Sequence, residues 1–203
     1  MSETAGLRAR KKLRTRQTIE RVALDLFEQQ GFSATTIDEI AAAADIAPRT
    51  FFHYFPAKED VVIADYTNRL EQIVVALRSG PNGRPPWDAL REAFSSAAVN
   101  YETERADLLR RFRIIQASPS VAAHNLQAQA RWEDAVADAV VEWLDVDDAE
   151  DIRPRLIAGA ALAAMRASLR LWLNDNGASR LPEHVAHAFD LLEDGLGAIS
   201  RRA

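Results

Sequence analysis

Cysteine is absent from this 203-residue chain, which excludes disulfides, thiolate metal sites and cysteine nucleophiles. Glycine and proline are scarce, with eight of each, and no sustained alternation of polar and apolar residues indicates strands. No apolar run reaches the roughly 18 uncharged residues that span a bilayer. The basic N-terminus is not followed by the apolar run of a signal peptide. We therefore expect a soluble, cytoplasmic protein.

The residues that are abundant favour helices. Hydrophobic residues make up 48% of the chain, and alanine and leucine dominate among them. Alanine, leucine, arginine and glutamate are the strongest helix formers, so the composition predicts an all-α fold. The length is sufficient for one large or two small domains with a proper core.

Charge is distributed unevenly along the chain. The formal net charge is −5, which by itself argues against a nucleic-acid partner. The first 21 residues, however, contain only two acids, Glu3 and Glu20, so this end carries a net positive charge that is typical of an interaction surface. The alternative is a solvated tail, and we expect residues 1–11 to be disordered. The basic residues of this end are Arg8, Arg10, Lys11, Lys12, Arg14, Arg16 and Arg21.

Local signals divide the next stretch into helices. Apolar residues recur at helical spacing from about Lys12 to Gly31, where a left-handed helix cap is expected. Thr36 and Glu39 form a T-x-x-E capping box, which predicts that a second helix begins at or just after Thr36. Four alanines, 41–44, lead into a turn.

A short, aromatic-rich helix follows the turn. Pro48 suits its first position, because the missing N–H would be unpaired there in any case, and the helix is expected to end at Tyr54. A long helix then begins at Lys58 and reaches about residue 79. Helix, short turn and second helix match the helix-turn-helix pattern, whose second helix enters the DNA major groove.

Two stretches, GFSATTIDEIA at 31–41 and TFFHYFPAKE at 50–59, resemble the TetR family of transcriptional regulators. The resemblance implies a three-helix DNA-binding domain at 12–57, joined by the long helix to a ligand-binding and dimerisation domain at 58–203. It also implies a repressor that binds a palindromic double-stranded operator as a homodimer. A small hydrophobic or amphipathic effector, with acyl-type compounds among the candidates, would release it. No catalysis, cofactor or metal is expected.

The resemblance assigns roles to individual residues. Arg49 and Thr50 face base edges, and Thr36 bonds a phosphate. Phe52 stands where the family usually has a tyrosine, so a hydroxyl contact to phosphate is lost. Asp45 replaces a glycine that is common in the turn, but aspartate tolerates a left-handed conformation. The full expected DNA-binding set is Thr35, Thr36, Pro48, Arg49, Thr50, Phe52, His53, Tyr54 and Lys58.

Residues 79–86, SGPNGRPP, form the strongest loop signal in the chain. Helical segments follow it: residues 87–118, expected to divide near Glu104; residues 118–144; a segment that begins within the acidic stretch 145–151 and ends near Asn176; and a last helix from Leu181.

Bulky residues of the long helix and of these segments are candidates for an effector cavity, although each such residue taken alone is more often core. They are Tyr66, Phe94, Tyr101, Phe112, Trp132, Met165, Leu169 and Trp172. An anionic head group could meet Arg110, Arg111 or Arg113, although solvated helix faces are the favoured interpretation for these arginines. The expected dimer interface is Ala160, Ala164, Phe189, Leu192 and Leu196, with packing inside one subunit as the alternative.

A second class of function stays open at this stage. A helical-bundle carrier or enzyme could retain the fold without sequence-specific DNA binding. No Ser-His-Asp arrangement or convincing metal set supports catalysis, so the regulator is favoured.

Overall fold

The computed structural model describes residues 2–78, 85–144, 146 and 150–195. In these residues the chain forms nine α-helices and no strand, which confirms the all-α prediction. The helices are α1 Ser2–Gln30, α2 Ile37–Ala43, α3 Pro48–Tyr54, α4 Lys58–Arg78, α5 Pro86–Thr103, α6 Arg105–Ala117, α7 Pro119–Leu144, α8 Arg153–Asn174 and α9 Leu181–Glu193.

Several helix ends follow from local chemistry. Gly31 adopts φ +86°, and its N–H donates to Phe27 O at 3.0 Å, which confirms the expected left-handed cap. Phe32 folds back so that its ring centroid lies 4.8 Å from that of Phe27. The predicted division near Glu104 is confirmed, because Glu104 is the C-terminal cap of α5.

Two helix starts differ from expectation. Helix α1 begins at Ser2 rather than near Lys12, so the segment expected to be disordered continues the helix. Arginine and lysine are good helix formers and extend an existing helix without needing an apolar face. Helix α8 begins at Arg153, later than predicted, where the Asp151 carboxylate accepts the Arg153 N–H at 2.9 Å.

The chain folds into two compact units. The N-terminal unit comprises the residues up to Asp65 together with Arg110–Asn125, and the C-terminal unit comprises Tyr66–Leu109 and the residues from Leu126 onward. This differs from the predicted boundary at 57/58, since the sequence assigns 110–125 to the second domain.

The core of the N-terminal unit explains its composition. Ile19, Ile40 and Phe51 are completely buried, and Ile114 and Val121 from the segment 110–125 belong to the same apolar cluster. Helical periodicity identifies an apolar face but not the distant segment that will cover it. This is why the boundary was wrong.

The C-terminal unit is built around helices α5, α8 and α9, which pack against one another. Phe189 of α9 is fully buried, with its ring centroid 4.7 Å from that of Trp87 and 6.2 Å from that of Phe94. Trp172 of α8 is 1% exposed, and its indole N–H donates to Ser179 O at 3.0 Å.

Helix α8 is also long and apolar enough, by length and composition alone, to cross a membrane. The sequence analysis found no candidate membrane span because it required an apolar run without charges. That criterion was too strict. A core helix of a soluble protein meets the same criterion, and α8 buries nine residues, among them Ala158, Met165 and Trp172, within this fold.

Candidate nucleic-acid interface and ligand cavity

Thr36 and Glu39 fix the start of α2. The Thr36 hydroxyl accepts the Glu39 N–H at 3.2 Å and donates to Glu39 Oε2 at 2.9 Å, while the Thr36 N–H donates to Glu39 Oε2 at 2.7 Å. The predicted capping box is confirmed. These bonds, with the Thr36 N–H first, hold the pKa of Glu39 below its usual value. Because the hydroxyl proton is already donated to Glu39, Thr36 would have to exchange that bond to hold a phosphate.

The turn between α2 and α3 has the conformation expected of it. Asp45 adopts φ +54°, in the left-handed region, which is tolerable for aspartate. The Ile46 N–H donates to Ala41 O at 3.0 Å. Pro48 occupies the first turn of α3, and α3 has the bounds that the sequence predicts.

One face of α3 is solvent-exposed and carries polar, cationic and aromatic side chains together. Arg49 and His53 are exposed, and Phe52 is 53% exposed. The opposite face is anchored by Phe51 and Phe55, which are 0% and 1% exposed, as predicted. The exposed face also includes Pro48, with Thr50 and Tyr54 half-buried at its edges.

Lys58 does not extend from this face. Its ammonium donates to Phe32 O at 2.7 Å and Thr35 O at 2.6 Å, and it lies 4.3 Å from the centroid of the Phe32 ring. Burial lowers the pKa of Lys58. The side chain therefore acts as a clamp that ties the start of α4 to the loop between α1 and α2. A phosphate contact remains a prediction and would compete with these two carbonyls.

Thr35 does not belong in the predicted DNA-binding set. It is 1% exposed, and its hydroxyl donates to Gly31 O at 2.8 Å. A buried hydroxyl with an internal acceptor cannot reach a phosphate. Thr35 therefore stabilises the turn after α1 instead; the capping box identifies Thr36 as the helix N-cap but does not reveal that Thr35 is buried.

Two arginines of α6 serve the N-terminal unit. The Arg111 side chain is 4% exposed; its guanidinium donates to Val61 O at 2.7 Å, to Val62 O at 3.1 Å and to Glu20 Oε2 at 3.1 Å. Arg110 forms ion pairs with Asp25 and Glu28. The suggestion that these two arginines hold an effector head group is wrong, because both are already paired within this unit.

The C-terminal unit contains a cavity of about 60 Å³. Six of the eight residues predicted for the effector site line this cavity. They could be predicted from the sequence because their side chains are bulky and mainly apolar. The polar groups Arg69, Gln129 and Arg166 were missed, as were four apolar residues. The lining is Tyr66, Arg69, Leu70, Ile73, Phe94, Ala97, Tyr101, Gln129, Trp132, Leu162, Met165, Arg166 and Leu169.

Phe112 and Trp172 do not line this cavity. Phe112 belongs to the segment of α6 that packs in the N-terminal unit, and Trp172 is buried with its N–H on Ser179 O. The sequence alone cannot separate a core aromatic from one at a cavity wall. The structure therefore does not place these two predicted residues at this cavity.

Arg69 is the charged residue most deeply placed in the cavity wall. Its side chain is 10% exposed and forms an ion pair with Glu104. The guanidinium carbon lies 4.4 Å from the centroid of the Tyr101 ring, within the range of a cation–π contact. The rings of Tyr66 and Tyr101 are 6.1 Å apart, so an aromatic pair stands beside the cation.

The residues predicted for the dimer interface differ in how far they are buried. Ala164 and Phe189 are 3% and 0% exposed within their own subunit, so they are core and cannot meet a second copy. Ala160 and Leu192 are half-buried, and Leu196 lies outside the described residues. One face of α8 instead exposes apolar residues at helical spacing: Leu156, Ala163, Ala167 and Leu171, with Ala160 half-buried among them.

Comparison with known proteins agrees with this arrangement. Residues 19–64 match the family of bacterial regulatory proteins, tetR family, and residues 84–197 match the MftR C-terminal domain. The transcriptional regulator TcmR of Streptomyces glaucescens is 33% identical, over 97% of this chain and 91% of that protein. The MftR regulator of Mycobacterium tuberculosis is 29% identical, over 95% of this chain and 96% of that protein.

Among solved structures, the TetR-family repressor FadR of Thermus thermophilus, in complex with lauroyl-CoA, has a TM-score of 0.58 and 27% identity. The match covers 89% of this chain and 94% of FadR. Family models thus match both the helix-turn-helix segment and most of the C-terminal part, and relatives match nearly the whole chain. The chain belongs to the TetR family of transcriptional regulators.

Proposed function

We propose that this regulator is a dimeric repressor that reads a palindromic operator through the exposed face of α3. The observation that carries the proposal is the composition of that face: Arg49, Phe52 and His53 are exposed on a helix whose other side is fixed by fully buried phenylalanines. A guanidinium can bond guanine O6 and N7 together. Arg49 and Thr50 would therefore read bases, while His53, Tyr54 and Thr36 would hold the backbone.

A second copy of the chain would pack on the apolar stripe of α8. Leu156, Ala163 and Leu171 lie on one face of the helix, because their spacing follows the helical period. Exposed leucines flanking small alanines allow close approach of a partner helix. Two copies would then place two α3 helices in successive major grooves, about 34–36 Å apart or a multiple of that spacing.

The effector would bind in the cavity of the C-terminal unit. Its lining is mainly apolar with a few polar groups, as is usual for small-molecule sites. The similarity to FadR, whose structure contains lauroyl-CoA, supports an acyl-type compound. Helix α4 supplies Tyr66, Leu70 and Ile73 to the cavity and Lys58 to the N-terminal clamp. An effector that prefers another conformation of α4 would thereby lower operator affinity.

Duplex selection from a random pool with the purified protein tests the DNA arm of the proposal. We expect a palindrome to be recovered. Arg49→Ala should lower affinity for it by about 10–100-fold, the equivalent of one bidentate base contact. Arg131→Ala is the matched control, since Arg131 is an exposed arginine of α7 in the C-terminal unit. Equal binding to all duplexes, or equal effects of the two substitutions, would favour a carrier that retains the fold.

A further inference from the structure

The exposed face of α3 carries two rows of side chains with different chemistry. Pro48 and Phe52 are four residues apart and form an apolar row. Arg49 and His53 have the same spacing and form a polar row beside it. All four residues are solvent-exposed. The face therefore offers an apolar contact next to a guanidinium and an imidazole.

Phe52 is the unusual member of the apolar row. It is 53% exposed, and in the part of the chain that the structure describes it is the only exposed aromatic residue. Its ring lies edge-on to that of Phe51, with centroids 5.6 Å apart and an angle of 86° between the planes. Because Phe51 is completely buried, the exposed ring is supported from below. Covering Phe52 therefore costs little side-chain freedom.

The chemistry of a phenyl ring limits what it can recognise in DNA. The ring has no N–H or O–H group to donate to a phosphate or to a base edge. In the major groove, the apolar group that a phenylalanine can contact is the C5 methyl group of thymine. The modified base 5-methylcytosine carries a methyl group on the same ring carbon.

We propose that Phe52 reads the C5 methyl group of a pyrimidine, which in unmodified DNA is thymine. This inference rests on the proposed function of α3 as the DNA reader. Phe52 follows Arg49 by three residues, about 4.5 Å along the helix axis, and successive base pairs are about 3.4 Å apart. The methyl group therefore belongs to a base pair within one or two steps of the guanine that Arg49 contacts.

The neighbours of Phe52 favour DNA over a protein as the surface that covers the ring. Whatever covers Phe52 must also receive the positive charge of Arg49 and the polar ring of His53. The major groove meets both requirements, because guanine acceptors and thymine methyl groups lie side by side there and phosphates flank them. Arg49 then selects guanine by hydrogen bonds, and Phe52 selects the methyl group by burying it.

Replacement of thymine by deoxyuridine tests the inference, because it removes the methyl group and keeps the base pair. Each thymine of the operator recovered by duplex selection is replaced in turn, and the affinity of the full-length protein is measured by fluorescence anisotropy. One thymine in each half-site should weaken binding about fourfold when replaced, which is the effect of one buried methyl group. It should lie within two base pairs of a guanine whose replacement by 7-deazaguanine also lowers affinity.

Variants of Phe52 connect this difference to the side chain. Phe52→Ala should bind the thymine and deoxyuridine duplexes equally. Leu126→Ala is the matched control and should keep the fourfold difference, because Leu126 is 65% exposed on α7 in the C-terminal unit. Phe52→Leu retains a smaller apolar contact and should show an intermediate ratio. It replaces the alanine variant if that binds too weakly to measure, and an unchanged ratio would then overturn the inference.

The methyl group can also be restored on another base. When the critical thymine is replaced by cytosine with its paired guanine, 5-methylcytosine at that position should bind the wild type more tightly than cytosine does. Phe52→Ala should not distinguish the two duplexes. Tighter binding would show that both methylated pyrimidines are accepted, whereas equal binding would restrict the contact to thymine.

The ratio of affinities separates recognition from a structural role. If Phe52 only supported α3, Phe52→Ala would weaken both duplexes by the same factor and leave the ratio unchanged, which would overturn the inference. Operator binding in which no thymine responds to replacement would also overturn it, but would leave the proposed function of α3 intact. Equal binding to every duplex of the random pool would reject both.

Discussion

Removing the Arg111 guanidinium should destabilise the N-terminal unit far more than a surface substitution does. The side chain is 4% exposed, and its guanidinium donates to Val61 O, Val62 O and Glu20 Oε2. Arg111→Met keeps much of the apolar length but leaves Glu20, itself only 16% exposed, without this cation. The perturbation therefore combines a broken buried ion pair with two lost carbonyl bonds.

The loss of folding stability caused by Arg111→Met can be estimated from these contacts. Breaking a buried pair by removing one partner costs about 3–5 kcal/mol. The lower end applies here, because Glu20 retains Arg16 at 3.2 Å and is not completely buried. A loss of about 3 kcal/mol corresponds to a fall in Tm of about 6–12 °C for a chain of this size. Operator affinity should fall as well, since Val61 and Val62 follow the clamp at the start of α4.

Thermal unfolding followed by circular dichroism measures this effect. Arg113→Met is the matched control, because Arg113 is exposed on the same helix, and its cost should stay within about 0.5 kcal/mol. In a Glu20→Gln background, Arg111→Met should cost less than in the wild type, which a double-mutant cycle detects. Equal melting temperatures for the Arg111 and Arg113 variants would refute the view that 110–125 is an integral part of the DNA-binding unit.

Two further predictions concern the Lys58 clamp and the α8 stripe. Lys58→Met should lower the free energy of unfolding by about 1.5–3 kcal/mol, because charged hydrogen bonds are lost. Its Tm should therefore be lower than that of the control, Lys12→Met. An unchanged Tm would indicate that Lys58 only contacts phosphate. If the proposed dimer forms through α8, Ala163→Glu should yield a monomer in light scattering, because it places a charge in the apolar stripe. Ala130→Glu on α7 is the control. A dimer that survives Ala163→Glu would place the interface elsewhere.

The helix-turn-helix was predictable because its signals are local. The Thr36–Glu39 capping box, the proline at the start of α3 and the glycine cap at Gly31 each involve residues within one or two turns of each other. The bounds of α3 and the burial of Phe51 and Phe55 followed from them. Such features need no knowledge of the tertiary fold.

Side chains whose roles depend on distant partners were not predictable. Lys58 lies 26 residues from Phe32, and Arg111 lies about 50 residues from the carbonyls that it holds. The pattern around each suggests a surface cation, since charged residues are almost never buried unless paired. Phe189 shows the same limit for an apolar residue, because it is buried against Trp87 and Phe94 of another helix.

The arginines of this chain show why residue type alone does not define the interface. Arg49 is exposed on α3, and its guanidinium can donate two N–H groups to a guanine edge. Arg111 gives its guanidinium to carbonyls of α4 and therefore cannot also serve a ligand. Arg69 is buried in the C-terminal unit, where it pairs with Glu104 and lies against the face of the Tyr101 ring. Burial and the partners already present, rather than charge alone, therefore decide which of these arginines is available to bind another molecule.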